Sequence, residues 1–464
     1  MRLNTYLLQL QPAILCVLLA SLSATAAANP WVDAAPQVLS EYLRINTINP
    51  PGNEIDGARF IARIFDAHDI DYEIAESAPG RGNIWARLEG GDKPALVLLN
   101  HIDVVPADAR FWSTEPLSGA IRDGYVWGRG ALDMKGLGIV QLQAFLALHA
   151  SGKRLNRDVI FMATADEEAG GYFGAGWLAK QRPELFEGVG YLLNEGGGGG
   201  LYGDEVVFTV EVTQKVPLWI RLTARGNPGH GSAPQIATAV TRLLRAGNRI
   251  AETQFEARAI PAVAQMFEGL APYQDDKLGA QYGNIAGALG DTEFMSYLQL
   301  TNPRHHALLR NTCSITRLSG SDKINVVPAE ATLELDCRLL PDQEVEAFEA
   351  ELLTITADTD IDLERLMAFT PAVSPSETPL FQLIAELAAK RHAGSRVVPG
   401  VSTGFTDSHF FRDLGITSYG FSPVVVNGSE ARGVHGNNER IPVDALKEGV
   451  AFQIELLKRF TTRR

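Results

Sequence analysis

Cysteine is scarce: three residues in 464. None stands in a Cys-x-x-Cys pair, which argues against a thiolate-ligated metal site. Basic charge is also short. Lysine and arginine number 41 against 55 acidic residues, a formal net charge of −14. A nucleic-acid binder needs a basic stripe, so no nucleic-acid partner is expected. Beyond the first 28 residues no stretch is long and apolar enough to span a bilayer as a helix. There is no internal repeat, no P-loop lysine and no GxGxxG opening a helix. The glycines after Glu195 therefore read as a flexible turn rather than a phosphate cradle.

The N-terminus has the features of an export signal. Arg2 supplies a positive start, Ala13 to Ala20 (AILCVLLA) is apolar, and SATAAANP offers small residues for cleavage after Ala26 or Ala28. The apolar run is too short for a stable membrane anchor. The expectation is a signal peptide over 1–28 and a periplasmic or secreted mature protein. Only Cys313 and Cys337 then remain. An oxidising compartment permits a disulfide between them; two separate small buried residues is the favoured reading.

Length implies more than one domain. Helices are expected between Trp31 and Phe65, around the break NPPGNE. Short apolar strands then alternate with helices: NIWARLEG, ALVLLNHIDVV, a helix from Asp133 to Ser151, DVIFMAT, a helix from Gly174 to Arg182, and a strand leading to Glu195. This alternation predicts an α/β domain with a mostly parallel mixed sheet flanked by helices. Near Glu211 the texture changes to period two, as an antiparallel strand pair would show. Strand, helix, strands and helix follow, predicting an inserted α+β domain. The expected division is 29–214 and 357–464 for the α/β domain and 215–356 for the insertion.

Five residues carry the chemistry. His101, Glu168 and Glu195 follow apolar strands, Asp133 opens a helix, and His435 lies in a late glycine-flanked loop. Each alone has an ordinary reading: an N-cap for Asp133, an exposed side chain for His435, solvated acids for Glu167 and Glu168. Together, two imidazoles and three carboxylates suit zinc, cobalt or manganese. Glu167, beside Glu168, is free to act as a base while its neighbour holds metal. That division of labour suits metal-assisted hydrolysis. Asp103 is placed to accept a hydrogen bond from the second ring nitrogen of His101.

The motifs HIDVVP, GRGALDMKG, DEEAGG, NEGG and GVHG, in this order, resemble the M20 family of dinuclear metallopeptidases. GNPGHGSAP, INVVPAEA and LDCRLLP resemble that family's lid domain, a ferredoxin-like α+β unit that also dimerises. The resemblance implies two zinc ions per chain. Asp133 would bridge them, with His101 and Glu195 on one and Glu168 and His435 on the other. Glu167 would be the general base and Asp103 the partner of His101. A cis peptide would follow Asp133. His230 would reach a partner subunit's site and hold the oxyanion. Asn325 and Arg338 would contact substrate, the arginine through a bidentate fork on a carboxylate; its ordinary reading is a strand-face salt bridge.

One departure stands out. Members often carry Thr-Asp followed shortly by arginine, whereas STGFTDSHFF places His409 there, leaving His409 as the candidate substrate contact. The long stretch from Phe255 to Arg310 resembles carboxypeptidase-S-like and N-acyl-amino-acid hydrolase branches. The implied activity is exported, zinc-dependent cleavage of a small peptide next to a free C-terminal carboxylate. The alternatives are an N-acyl-amino-acid amidohydrolase and, further off, a metal-loaded peptide binder without catalysis. A homodimer through the lid is the implied assembly.

Overall fold

The computed structural model describes residues 29–463; the segment read as a signal peptide lies outside them. Two cores organise the chain. The larger surrounds an eight-stranded mixed sheet, with strand order Tyr72–Glu76, Gly82–Leu88, Arg157–Thr164, Lys93–His101, Val189–Tyr202, Thr417–Val426, Glu205–Gln214 and Arg396–Ser402. The four strands from Arg157–Thr164 to Thr417–Val426 in that order run parallel. Parallel strands are covered on both faces, which explains why Leu96 to Leu99 are all fully buried. The helix Lys135–Ala150 is apolar on every side and buried along nearly its whole length, as a central core helix must be. It packs between Pro30–Leu43 and Val443–Thr461.

The second core belongs to a four-stranded antiparallel sheet, ordered Thr312–Ser319, Glu330–Leu339, Val216–Arg225 and Ile361–Ala368. Helices Ala239–Glu252 and Val345–Thr356 cover one face. The chain order βαββαβ with this strand order is the ferredoxin-like arrangement expected. Alternation explains the burial: Leu218, Ile220, Leu222 and Ala224 face the helices, while Trp219 and Arg221 between them do not.

Three particulars differ from the expectations. The period-two stretch around Lys215 is not a strand pair. Glu205–Gln214 joins the large sheet, and Val216–Arg225 pairs only within the small one. The small sheet also takes Ile361–Ala368, beyond residue 356. Helices Pro261–Leu270, Asp276–Gly283 and Thr292–Thr301, numbered inside the insertion, bury Phe267, Tyr282 and Phe294 in the large core instead. Gly269 lies so close to the strand Arg396–Ser402 that a Cβ would meet Val398 at 2.3 Å.

Cys313 and Cys337 stand directly opposite each other on adjacent antiparallel strands and are joined by a disulfide. This corrects the favoured reading of two separate thiols. A bond closing a loop of this length (sequence separation 24) contributes about 3 kcal/mol by the loop-entropy relation. Replacing both cysteines with serine is expected to lower the unfolding free energy of the inserted domain by that amount in urea titration. An unchanged midpoint would show that the sulfurs are not bonded.

Candidate dinuclear metal centre

The parallel strands deliver their carboxyl ends to one place, where ligands bind in open α/β sheets. His101 is the last residue of Lys93–His101. Its Nδ1–H donates to the main-chain carbonyl of Asp103 at 3.0 Å, which leaves Nε2 free for a cation. The expected carboxylate partner is farther, with Asp103 Oδ1 at 3.5 Å. The Asp103 carboxylate instead accepts from Asn49 Nδ2 at 2.8 Å and from the main-chain N–H groups of Glu167 and Glu168 at 3.2 and 3.1 Å. It thereby fixes the turn that carries Glu167 and Glu168. That turn is a single 3-10 turn, Glu167–Ala169, after the strand Arg157–Thr164. The reversal that follows needs Gly170 and Gly171 at φ 110° and 73°, a region closed to most side chains.

Asp133 sits just before the helix Lys135–Ala150, with a cis peptide to Met134. Its two oxygens face different partners. Oδ1 lies 3.2 Å from His101 Nε2, and Oδ2 lies 3.0 Å from His435 Nε2. Glu195 Oε1 is 3.6 Å from His101 Nε2, and Glu168 Oε2 is 3.1 Å from His435 Nε2. Donor atoms of His101, Asp133 and Glu195 form one group within 4.8 Å of one another, and those of Asp133, Glu168 and His435 form a second. Asp133 is common to both. Glu167 Oε2 stands 4.0 Å from His101 Nε2, and Glu167 belongs to a third such group, with His101 and Glu168, that does not include Asp133.

Electrostatics shows why this cluster calls for cations. Four carboxylates converge on two imidazoles. Burial, then Glu195, holds the Glu167 carboxyl well above its usual range. Burial and Asp133 lift Glu195 to about 7. Hydrogen bonds to Asp133 and Glu168 push the His435 imidazole up to about 10. Burial disfavours the charged form of His101, yet Glu195, Asp103 and Asp133 keep it well above its usual value. Glu168 Oε1 is buried with no hydrogen-bond partner. Like charges this close cannot all ionise without compensation. Two divalent cations, one on each side of Asp133, would supply it.

A sequence profile of peptidase family M20/M25/M40 matches residues 97–459. The chain belongs to this family. It is a hydrolase with the family's metal-dependent fold. The N-fatty-acyl-amino acid synthase/hydrolase PM20D1 of Xenopus tropicalis is 31% identical over 86% of this chain and 78% of that protein. Aminoacylase-1A of Rattus norvegicus is 29% identical over 90% of this chain and 93% of its own length. Among solved structures, the M20 family metallo-carboxypeptidase Sso-CP2 from Sulfolobus solfataricus superposes with a TM-score of 0.70 at 21% identity, covering 91% of this chain and 98% of its own. Human carnosine dipeptidase 1 gives 0.62 at 18%, covering 92% and 97%.

The remaining candidates of this M20 chain lie apart from the five. His230 pairs with Val326 in a short two-stranded ladder between distant segments of the inserted domain, and Asn325 stands next to it. His230 Nδ1 accepts from the N–H of Ser232 at 3.2 Å, and among the described residues no hydrogen bond joins either residue to those five. Arg338 Nε and Nη2 fork onto Asp336 at 2.7 and 3.1 Å, the strand-face pair of its ordinary reading. Its Nη1 is buried and unpartnered, and the guanidinium carbon lies 5.5 Å from the Phe405 ring. His409 does not offer an open substrate contact: it is 5% exposed, stacks on Phe369 with ring centroids 3.5 Å apart, and neither nitrogen has a partner. Burial holds its imidazole down at about 3, so it does not replace an arginine's charge.

Sequence reasoning passed over Asn49, Asp407 and Glu439. Asn49 stands in the quoted NPPGNE and Glu439 in GVHGNNER, so polar residues inside those motifs were the available signal. Thr164 Oγ1 donates to the buried Asp407 at 3.3 Å, and Asp407 is one of the carboxylates whose charge raises the Glu167 carboxyl.

The geometry sets a stoichiometric expectation. His435→Ala should bind one ion per chain tightly and Asp133→Ala none, by elemental analysis after dialysis. Two tightly held ions in either variant would contradict the shared-ligand arrangement.

Proposed function

We propose that the chain is a two-zinc hydrolase of amide bonds whose nitrogen belongs to an amino acid with a free α-carboxylate. The observation that carries this reading is Asp133, with one oxygen toward His101 and the other toward His435, and Glu167 beside them. The donor set of two imidazoles and three carboxylates also suits cobalt or manganese. When bound, such cations acidify water and polarise a carbonyl oxygen.

The chain's own residues do the rest. His101, Asp133, Glu168, Glu195 and His435 hold the ions. Glu167 takes a proton from water and delivers it to the departing amine nitrogen. Asp103 keeps Glu167 aimed, through the two main-chain N–H groups it accepts from. Arg338, already oriented by Asp336 through Nε and Nη2, has Nη1 left for the substrate carboxylate. Asn325, next to His230 on the inserted domain, is a second candidate contact for the substrate. His230, exposed on the inserted domain, is available to the site of a second copy and would stabilise the oxyanion there. The edge strand Thr312–Ser319, whose outer side pairs with no other strand among the described residues and on which Ile315 and Leu318 are exposed, supports assembly through that domain.

Two acyl groups fit this chemistry: an aminoacyl residue, as in a small peptide, and a simple or fatty acyl chain. Relatives at 31% and 29% identity are named for acyl amino acids or as an aminoacylase. The neighbours named for carboxypeptidase or dipeptidase activity, at 21% and 18%, speak to fold alone. N-acyl amino acids are therefore the first class to assay, with dipeptides alongside. Export is part of the same reading. The charged and apolar start of the sequence supports it, as does a disulfide of the kind oxidising compartments sustain.

Glu167→Gln should keep two ions per chain and lower kcat by about a hundred- to ten-thousand-fold, the range of general acid–base catalysis. Turnover at the wild-type rate would refute the assigned base, and no cleavage by wild type across both substrate classes would favour a binding protein. Arg338→Ala should raise KM for a substrate with a free carboxylate and leave its amide unaffected. Equal effects on both would remove that role.

A further inference from the structure

Glu439 is wholly buried, and its carboxylate collects donors from one loop only. Oε2 accepts from Arg129 Nη1 at 2.7 Å and from the N–H of Gly130 at 3.1 Å. Oε1 accepts from the N–H of Leu132 at 2.7 Å and from the N–H of Asp133 itself at 3.1 Å. Its main-chain carbonyl takes the N–H of Gly128 at 3.0 Å. A single side chain thus organises the segment 128–133, which ends on the aspartate shared by both donor groups. Glu439 stands four residues after His435. The carboxylate therefore ties the loop bearing one imidazole to the loop bearing the shared aspartate.

We infer that Glu439 is a positioning residue that sets the affinity of one cation position, the one formed by Asp133, Glu168 and His435. The inference rests on the shared-ligand reading of Asp133. The asymmetry follows from how the ligands are anchored. His101 ends a strand of the large sheet, paired there with Thr164, and Glu195 lies within another strand of that sheet, next to Asn194, which pairs with Gly420. His435 stands in a loop with a side chain 53% exposed and a left-handed φ of 56°. Besides Glu439, that loop is tied down by Asn438, whose Oδ1 accepts from the N–H of Ser113 at 2.7 Å. A carboxylate is required chemically. It is an acceptor on both oxygens, and four N–H groups converge on it; the amide of glutamine would turn an NH2 group toward two of those donors. Arg129 supplies the compensating charge, and its guanidinium lies over Trp112 at 5.3 Å.

The test is zinc titration of chelator-treated full-length protein against a competing chromophoric chelator, for wild type, Glu439→Gln, His435→Ala and the double variant. Wild type should bind two ions. Glu439→Gln should keep one at near wild-type affinity and weaken the other about ten- to a hundred-fold, the usual effect of losing a partner behind the ligands. The double variant should match His435→Ala, because both changes act on the same position. Two ions at unchanged affinity in Glu439→Gln, or a double variant that loses the His101 position as well, would overturn the inference. Wild type binding fewer than two would overturn the shared-ligand reading and this inference with it. Should Glu439→Gln fail to fold, Glu439→Asp, with both oxygens withdrawn by one methylene, carries the same expectation to a smaller degree.

Discussion

Everything in this molecule turns on a carboxylate shared between two imidazoles. Asp133 faces His101 with one oxygen and His435 with the other, and Glu168 and Glu195 close on the same volume. Such a gathering of like charge is unfavourable in an isolated protein and becomes favourable when divalent cations enter it. The fold must therefore hold the carboxylates together against their own repulsion. It does so with main-chain donors and buried counter-charges rather than with side-chain packing alone. Asp103 grips the turn of Glu167 and Glu168, Glu439 grips the loop of Asp133, and Arg129 neutralises Glu439.

The sheet makes this placement possible. His101 and Glu195 stand on neighbouring parallel strands, so their spacing is set by strand separation, and Glu168 follows the next strand of the same sheet in a turn held by Asp103. The helix after Asp133 is buried on all sides, which fixes that residue as firmly as a strand would. His435 is the exception, reached through a loop. The positive φ values of Asp166 and His435 sit where local preference yields to the site.

Much of this was legible in the sequence. The apolar runs that lead to His101 and Glu168 stop at polar residues, a pattern that marks both the strand and the place of the candidate ligand just at or after its end, whereas the strand of Glu195 runs on through the glycines to Tyr202 where a flexible turn was expected. The alternation in AEATLELDCRLL likewise marks a half-buried strand. Other features carried no local mark. Period two reads alike in either sheet, so the switch at Lys215 between them was hidden. IDLERLMA is too charged to announce itself, although Ile361 and Met367 turn inward. The helices between Pro261 and Ala307 are amphipathic, but amphipathicity does not say which core receives the apolar face. The pairing of Cys313 with Cys337 depends on strand register, and the burial of His409 depends on Phe369 arriving from the other domain. These are long-range facts, and a linear pattern does not contain them.

The most direct test of the shared carboxylate is anomalous diffraction from crystals grown with zinc. The account predicts two peaks about 3.5–4 Å apart, each about 2.0–2.2 Å from a different oxygen of Asp133. One would be completed by His101 and Glu195, the other by Glu168 and His435. A single peak, or two peaks that do not both contact Asp133, would contradict it.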